Sequence, residues 1–189
     1  MIPYKPASSL FTDYASKKRF IWLPPGKKAT YTADGEILDL PVGAVLIKNF
    51  YFENFLPGGN THILETRIMI RQSTGWIFAE YIWNDEQTEA YLDMAGSDRD
   101  ISFMHNGELK STSYRFPATG ECFVCHKLDN TAIPIGIKPQ NLNFDYDYED
   151  GMQNQLSKLI SIGYLTNNLP GSINSTVDYS DETQDLDLR

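Results

Sequence analysis

The chain has 189 residues, 41% of them hydrophobic, and a net charge of −9 from 16 Lys and Arg against 25 Asp and Glu. That length and apolar content support one compact domain, or one with an appendage, and the acidic balance argues against a nucleic-acid partner, which needs a basic footprint. No run approaches the roughly eighteen apolar residues of a membrane span.

Met1-Ile2-Pro3-Tyr4-Lys5-Pro6 lacks the apolar centre of a secretory leader, so it reads as a cytosolic start or as a chain whose leader has been removed. The 11 Tyr, 10 Phe and 3 Trp favour strands over a helical bundle. Residues 1–115 accordingly read as an antiparallel β-rich domain. Arg19-Phe20-Ile21-Trp22-Leu23 is an apolar run closed by Pro24-Pro25-Gly26, and Asp34-Gly35 signals a hairpin turn. Residues 44–52 are aromatic and β-branched, and Pro57-Gly58-Gly59-Asn60 ends the loop after them. Over residues 62–71 the chain alternates, with Leu64, Thr66, Ile68 and Ile70 on one face and Ile63, Glu65, Arg67 and Met69 on the other. Residues 76–83 form another strand. Residues 84–92 carry an N-cap candidate, Asn84, ahead of helix formers and predict a short helix. Asn106-Gly107 divides residues 101–105 from 109–116 and is the clearest hairpin in the chain.

The chain holds two cysteines and three histidines, and Cys122-Phe123-Val124-Cys125-His126 gathers three of those five. The spacing reads as an attachment site for haem c. Two thiols three positions apart on an incipient helix can add to the two vinyl groups of one porphyrin, and the adjacent His126 is placed to ligate the iron. Three other readings compete. Zinc needs four ligands, and only His62, His105 and carboxylates remain. A dithiol redox motif belongs after the strand of a βαβ unit, whereas Pro117 and Gly120 mark a turn after a strand here. A disulfide across two intervening residues is strained.

Downstream, Ile133-Pro134-Ile135-Gly136-Ile137-Lys138-Pro139 cannot be helical throughout. Met152, Leu156, Leu159, Ile160 and Gly163 fall at helical spacing and predict an amphipathic helix over residues 149–164. The expected fold is therefore α+β: the β-rich domain (1–115), a mostly helical haem-binding segment packed on it (116–168), and an acidic extended tail or linker (169–189). Met152 on the apolar helix face is the first candidate for the second axial ligand, and a plain core methionine accounts for its spacing equally well. His62 is the second candidate. Met104 and His105 flank a hairpin turn and read as surface groups. Lys17, Lys18 and Arg19 form a basic cluster able to pair with haem propionates or to face solvent. Asp145-Tyr146-Asp147-Tyr148-Glu149-Asp150-Gly151 fails the EF-hand template, with Gly one position late and Leu156 where the bidentate Glu belongs.

Taken together, Leu10 through Phe20, Leu40-Pro41-Val42-Gly43 before Lys48-Asn49-Phe50, Glu65-Thr66-Arg67, Gly75-Trp76 through Tyr81-Ile82-Trp83-Asn84, and Pro117-Ala118-Thr119-Gly120-Glu121 before the haem motif, with Gln140-Asn141-Leu142-Asn143 and Asn154-Gln155-Leu156 after it, resemble a family of exported, largely uncharacterised bacterial c-type haem proteins. The resemblance covers about residues 4–165. Its members commonly continue into a second haem motif soon after a segment like residues 184–189, which implies that this chain is a fragment or a short form. The layout is also similar to β-sheet c-type cytochromes with five-coordinate iron, a likeness of fold alone. The resemblance implies export to the periplasm. The expected function is electron transfer through one haem c anchored by Cys122, Cys125 and His126, with a redox partner that presents a basic docking patch to this acidic chain. The alternatives are a five-coordinate haem enzyme or sensor acting on a small molecule such as hydroxylamine, nitric oxide or peroxide, and a non-haem interaction domain of a larger multihaem protein.

Overall fold

In the computed structural model, which describes residues 1–184, antiparallel β structure predominates over helix. Residues 185–189, the end of the expected acidic tail, lie outside the described residues. Eight strands form one sheet: β1 (Ile2–Tyr4), β2 (Ser16–Trp22), β3 (Val45–Phe55), β4 (Asn60–Gln72), β5 (Gly75–Trp83), β6 (Ala90–Asp93), β7 (Ser97–His105) and β8 (Glu108–Phe116). Strands β1 to β6 are neighbours in chain order, and the β7–β8 hairpin joins through β3, where Phe55 lies opposite Phe103. Asn106 and Gly107 have φ of 51° and 81°, the positive pair that a two-residue hairpin turn requires.

Two sequence expectations fail here. Residues 84–89 are a hairpin loop and 90–92 belong to strand β6, because the Asn84 side-chain oxygen accepts from the Thr88 and Glu89 amides (3.0 and 3.1 Å) and the Asn84 amide donates to the Glu89 carbonyl. A side chain that captures the backbone this way competes with helix formation. The α+β expectation is likewise corrected: residues 116–168 are not a mostly helical segment. Among the described residues there are three short α-helices, α1 (Cys122–Cys125), α2 (Pro139–Leu142) and α3 (Gln155–Ser161), interleaved with the hairpins β9 (Lys127–Leu128)–β10 (Thr131–Ala132) and β11 (Asp145–Tyr148)–β12 (Gly151–Asn154). The apolar period over 149–164 spans two elements. Gly151 turns the chain at φ 113°, β12 pairs with β11, and α3 begins only at Asn154, whose side-chain oxygen accepts from the Leu156 and Ser157 amides.

One face of the sheet carries two apolar clusters. Ile21, Leu46, Met69 and Trp76 pack with Ile137, Leu142, Leu156, Leu159 and Leu165 from the later segment. Phe50, Phe52 and Leu64 pack with Ile101, Phe103, Tyr114 and Phe116 from β7 and β8. Burying such side chains contributes roughly 1.5–3 kcal/mol each. Between the clusters the register sets Arg19, Lys48, Arg67, Glu80 and Asp93 opposite one another in a charged row across five strands. On β4 the inward face is thus the one with Glu65, Arg67 and Met69, while Ile68 and Ile70 are only half-buried. The described part of the tail has no helix or strand, yet it is held: Leu169 and Ile173 pack on the core, Asn143 donates to the Ile173 carbonyl (2.9 Å), and the Thr176 amide donates to the Gln140 carbonyl (3.1 Å).

Candidate functional site

The cysteine–histidine motif follows β8 directly. Glu121 receives the Ala118 amide (2.6 Å) and the Arg115 guanidinium (2.9 Å), which fixes the turn that leads into α1. Gly96, at φ 76°, lies so close to this turn that a Cβ there would meet the Ala118 nitrogen at 2.6 Å. The His126 amide donates to the Cys122 carbonyl (2.9 Å), closing a single helical turn. Residues three apart on such a turn are neighbours on one side, so Cys122 and Cys125 share a face. Both are free thiols, Cys122 half-buried and Cys125 exposed, and burial raises the Cys122 thiol above its ordinary range.

His126 is set by the next hairpin. Asp129 and Asn130, at φ 46° and 64°, reverse the chain between β9 and β10, and these are residue types that tolerate positive φ. The reversal brings Ile133 back beside His126. The Ile133 amide donates to the His126 carbonyl (3.2 Å), and His126 Nδ1 lies 2.9 Å from the Ile133 carbonyl oxygen. A carbonyl can only accept, so Nδ1 carries the proton and Nε2 keeps its lone pair. Burial lowers the His126 pKa most; the Ile133 bond opposes that, and the Lys48 and Arg67 charges lower it further. The ring is thus held neutral. Phe78 of β5 flanks it at 5.6 Å and meets Phe123 edge-on at 5.1 Å.

These residues fit a covalently attached porphyrin better than a metal ion bound by protein alone. Among the described residues no three His, Cys, Asp or Glu side chains converge as a metal site. Zinc needs such convergence. A porphyrin does not, because the two sulfurs bond to its periphery and the imidazole alone reaches the iron. The same segment leaves Phe123, Val124, Leu128 and Ile135 41–81% exposed, an amount of apolar surface that calls for a cover.

Met152 does not lie on a helix. It sits in β12 opposite Asp147 and is 64% exposed. His62 is stacked on Phe55 (4.2 Å) and touches Gln87, and His105 meets the Tyr14 ring at 4.8 Å in a tilted arrangement; neither contacts the motif. Met104 is exposed. Asp145 and Asp147 face solvent, and Asp150 pairs with Lys158. The methionine on the sheet face that carries Phe78 is Met69, directly across the strand pair from it.

Sequence reasoning missed the buried polar group under this face. Glu65, with no solvent exposure, accepts two bonds from Arg67 (2.8 and 2.6 Å) and one from the Tyr114 hydroxyl (2.6 Å). Glu80 is 2% exposed, its oxygens have no hydrogen-bond partner, and Arg67 stands 3.7 Å away. Burial, with the neighbouring Glu65 charge, pushes its pKa up to about 9. The alternation that put Glu65 and Arg67 on one strand face was the available signal; the charges pointed to solvent only by habit. No known family model, curated protein or solved structure matches the chain.

Proposed function

We propose that the chain is a c-type cytochrome, carrying one haem c through thioethers to Cys122 and Cys125 with His126 as proximal ligand, and exchanging electrons with a partner protein. The observation that carries this reading is the His126 Nδ1 bond to the Ile133 carbonyl beside two free thiols on one helical turn. A histidine that ligates a metal donates its other ring N–H to such an acceptor, which fixes the tautomer and aims the free nitrogen. When bound, the haem supplies one-electron chemistry at its iron.

The chain's own residues do the rest. Ile133 holds the imidazole in orientation, and Phe78 flanks its ring. Lys48 and Arg67 place positive charge within reach of His126, which favours the reduced state, and the buried Glu65 carboxylate partly offsets them. Covalent haem is attached outside the cytoplasm, so the reading entails export. The net charge of −9 favours a partner with a basic docking patch, and high salt should slow the exchange.

The exposure of Met152 favours a second reading, an iron open on one side that binds a small molecule such as hydroxylamine, nitric oxide or peroxide. Expression with a cytochrome c maturation system tests both. A covalent haem whose low-spin spectrum ignores carbon monoxide supports electron transfer; a high-spin haem that binds it supports the second reading; a colourless, folded chain refutes both and leaves an interaction domain.

A further inference from the structure

A cleft of about 260 Å³ opens beside β2, lined by Lys5, Ser9, Ser16, Lys17, Arg19 and Tyr51. Arg19 in its wall is only 8% exposed, and among the described residues its side chain makes no hydrogen bond and has no carboxylate within 4 Å. Lys17 and Lys48 have no such partner either. Lys48 stands across the strand pair from Arg19, and Lys17, Lys48 and Arg67 all lie over the single buried ring of Phe50, at 6.0, 4.4 and 4.4 Å. Of these four cations only Arg67 forms an ion pair, with Glu65, while Asp13 acts on Lys17 and Glu65 on Lys48 from farther away. Three unpaired cations crowded on one inward face of a chain with net charge −9 are costly unless an anion joins them. The crowding shows in their titration: burial, then the neighbouring guanidinium of Arg19, lowers Lys17 to about 8 and Lys48 to about 7.

We infer that this cleft binds a small dicarboxylate, with Arg19 as the bidentate anchor and Lys17 and Lys5, both in its wall, as the second positive pole. A planar guanidinium matches a carboxylate with two parallel bonds, and a buried one loses little freedom in doing so. Ser16 and Tyr51, which face each other across the β2–β3 pair, complete the cleft wall. The volume suits a ligand of a few carbons between two carboxylates. Such a ligand has two sources, a free diacid or the two propionates of the proposed haem. The second rests on the functional reading above, since Lys48, across the strand pair from Arg19, is also among the charges acting on His126.

Succinate, titrated at constant ionic strength by calorimetry and thermal unfolding, tests the inference on two forms, the haem-loaded chain and the haem-free Cys122→Ser/Cys125→Ser chain. Binding to the haem-free form alone identifies the propionates as the occupant. Binding to both identifies a free diacid. In either case Arg19→Met should weaken succinate at least tenfold while raising the midpoint of the anion-free chain, and Lys27→Gln on the exposed surface should change neither. Lys17→Gln gives the same reading should Arg19→Met fail to fold. Absence of succinate binding to the haem-free form overturns the inference, as does an Arg19→Met chain that binds succinate normally. Because that arm carries no haem, failure of the haem assignment leaves it readable.

Discussion

Glu80 offers the sharpest physical test of the buried charge row. Its carboxyl is 2% exposed and faces Glu65 and Arg67 on β4 and Asp93 on β6, with Tyr114 and the Cys122 thiol in the same network. Its pKa rises from 4.5 in the unfolded chain to about 9. Between those values the folded protein holds a proton that the unfolded chain has released, so stability must fall as pH rises. The contribution is fully present below the unfolded pKa and is lost by the folded one. Each unit of pH removes up to about 1.36 kcal/mol. From about pH 5 to about pH 8 the ceiling is roughly 4 kcal/mol; the Arg67 charge favours the ionised carboxylate and offsets part of it, and about 2 kcal/mol is the expected loss. Glu80→Gln keeps the shape and removes the proton, so the variant should match the native chain near pH 5 and exceed it by about 2 kcal/mol near pH 8. Urea unfolding at several pH values reads this directly. Parallel pH profiles for the two chains would refute the reasoning.

Tyr114→Phe removes one of the donors to Glu65 and should cost about 1.5–3 kcal/mol in urea unfolding, as expected for a bond to a buried charge; a loss within error would mean that water replaces it. Gly96→Ala forces a Cβ against the Ala118 backbone at positive φ and should lower stability by about 1–3 kcal/mol or more while displacing the turn before Cys122; an unchanged melting midpoint contradicts the close approach. Cys125→Ala should leave haem attached through Cys122 alone, with one vinyl group retained and the visible bands moved to longer wavelength; an unshifted spectrum contradicts thioether attachment at Cys125.

Much of the sheet was legible because its signals are local. Asn106-Gly107 needs only two residues to specify a turn, and the β3, β4 and β5 strands announce themselves through β-branched and aromatic runs. The helix over 149–164 failed for the opposite reason. Leu156 and Leu159 are buried at helical spacing, but Met152 joins that series by coincidence, because Tyr146 and Tyr148 pair their strand with residues 151–154. The motif Cys122–His126 was visible from residue types and spacing. Its setting was not: the Ile133 carbonyl that orients His126 depends on two positive-φ residues in a hairpin too short to leave a periodic trace. Nor was the charged row from Arg19 to Asp93 visible, since its members come from five strands and only the cross-strand register sets them opposite one another.

Electron transfer by this chain depends on the two sulfurs of α1 being joined to a porphyrin. The direct measurement is the pyridine haemochrome spectrum of the chain matured in an exporting host, taken before and after extraction with acidified acetone. The expected result is one haem per chain that stays with the protein, and that is lost in Cys122→Ser/Cys125→Ser. A folded native chain without pigment, or with pigment that the solvent removes, contradicts it.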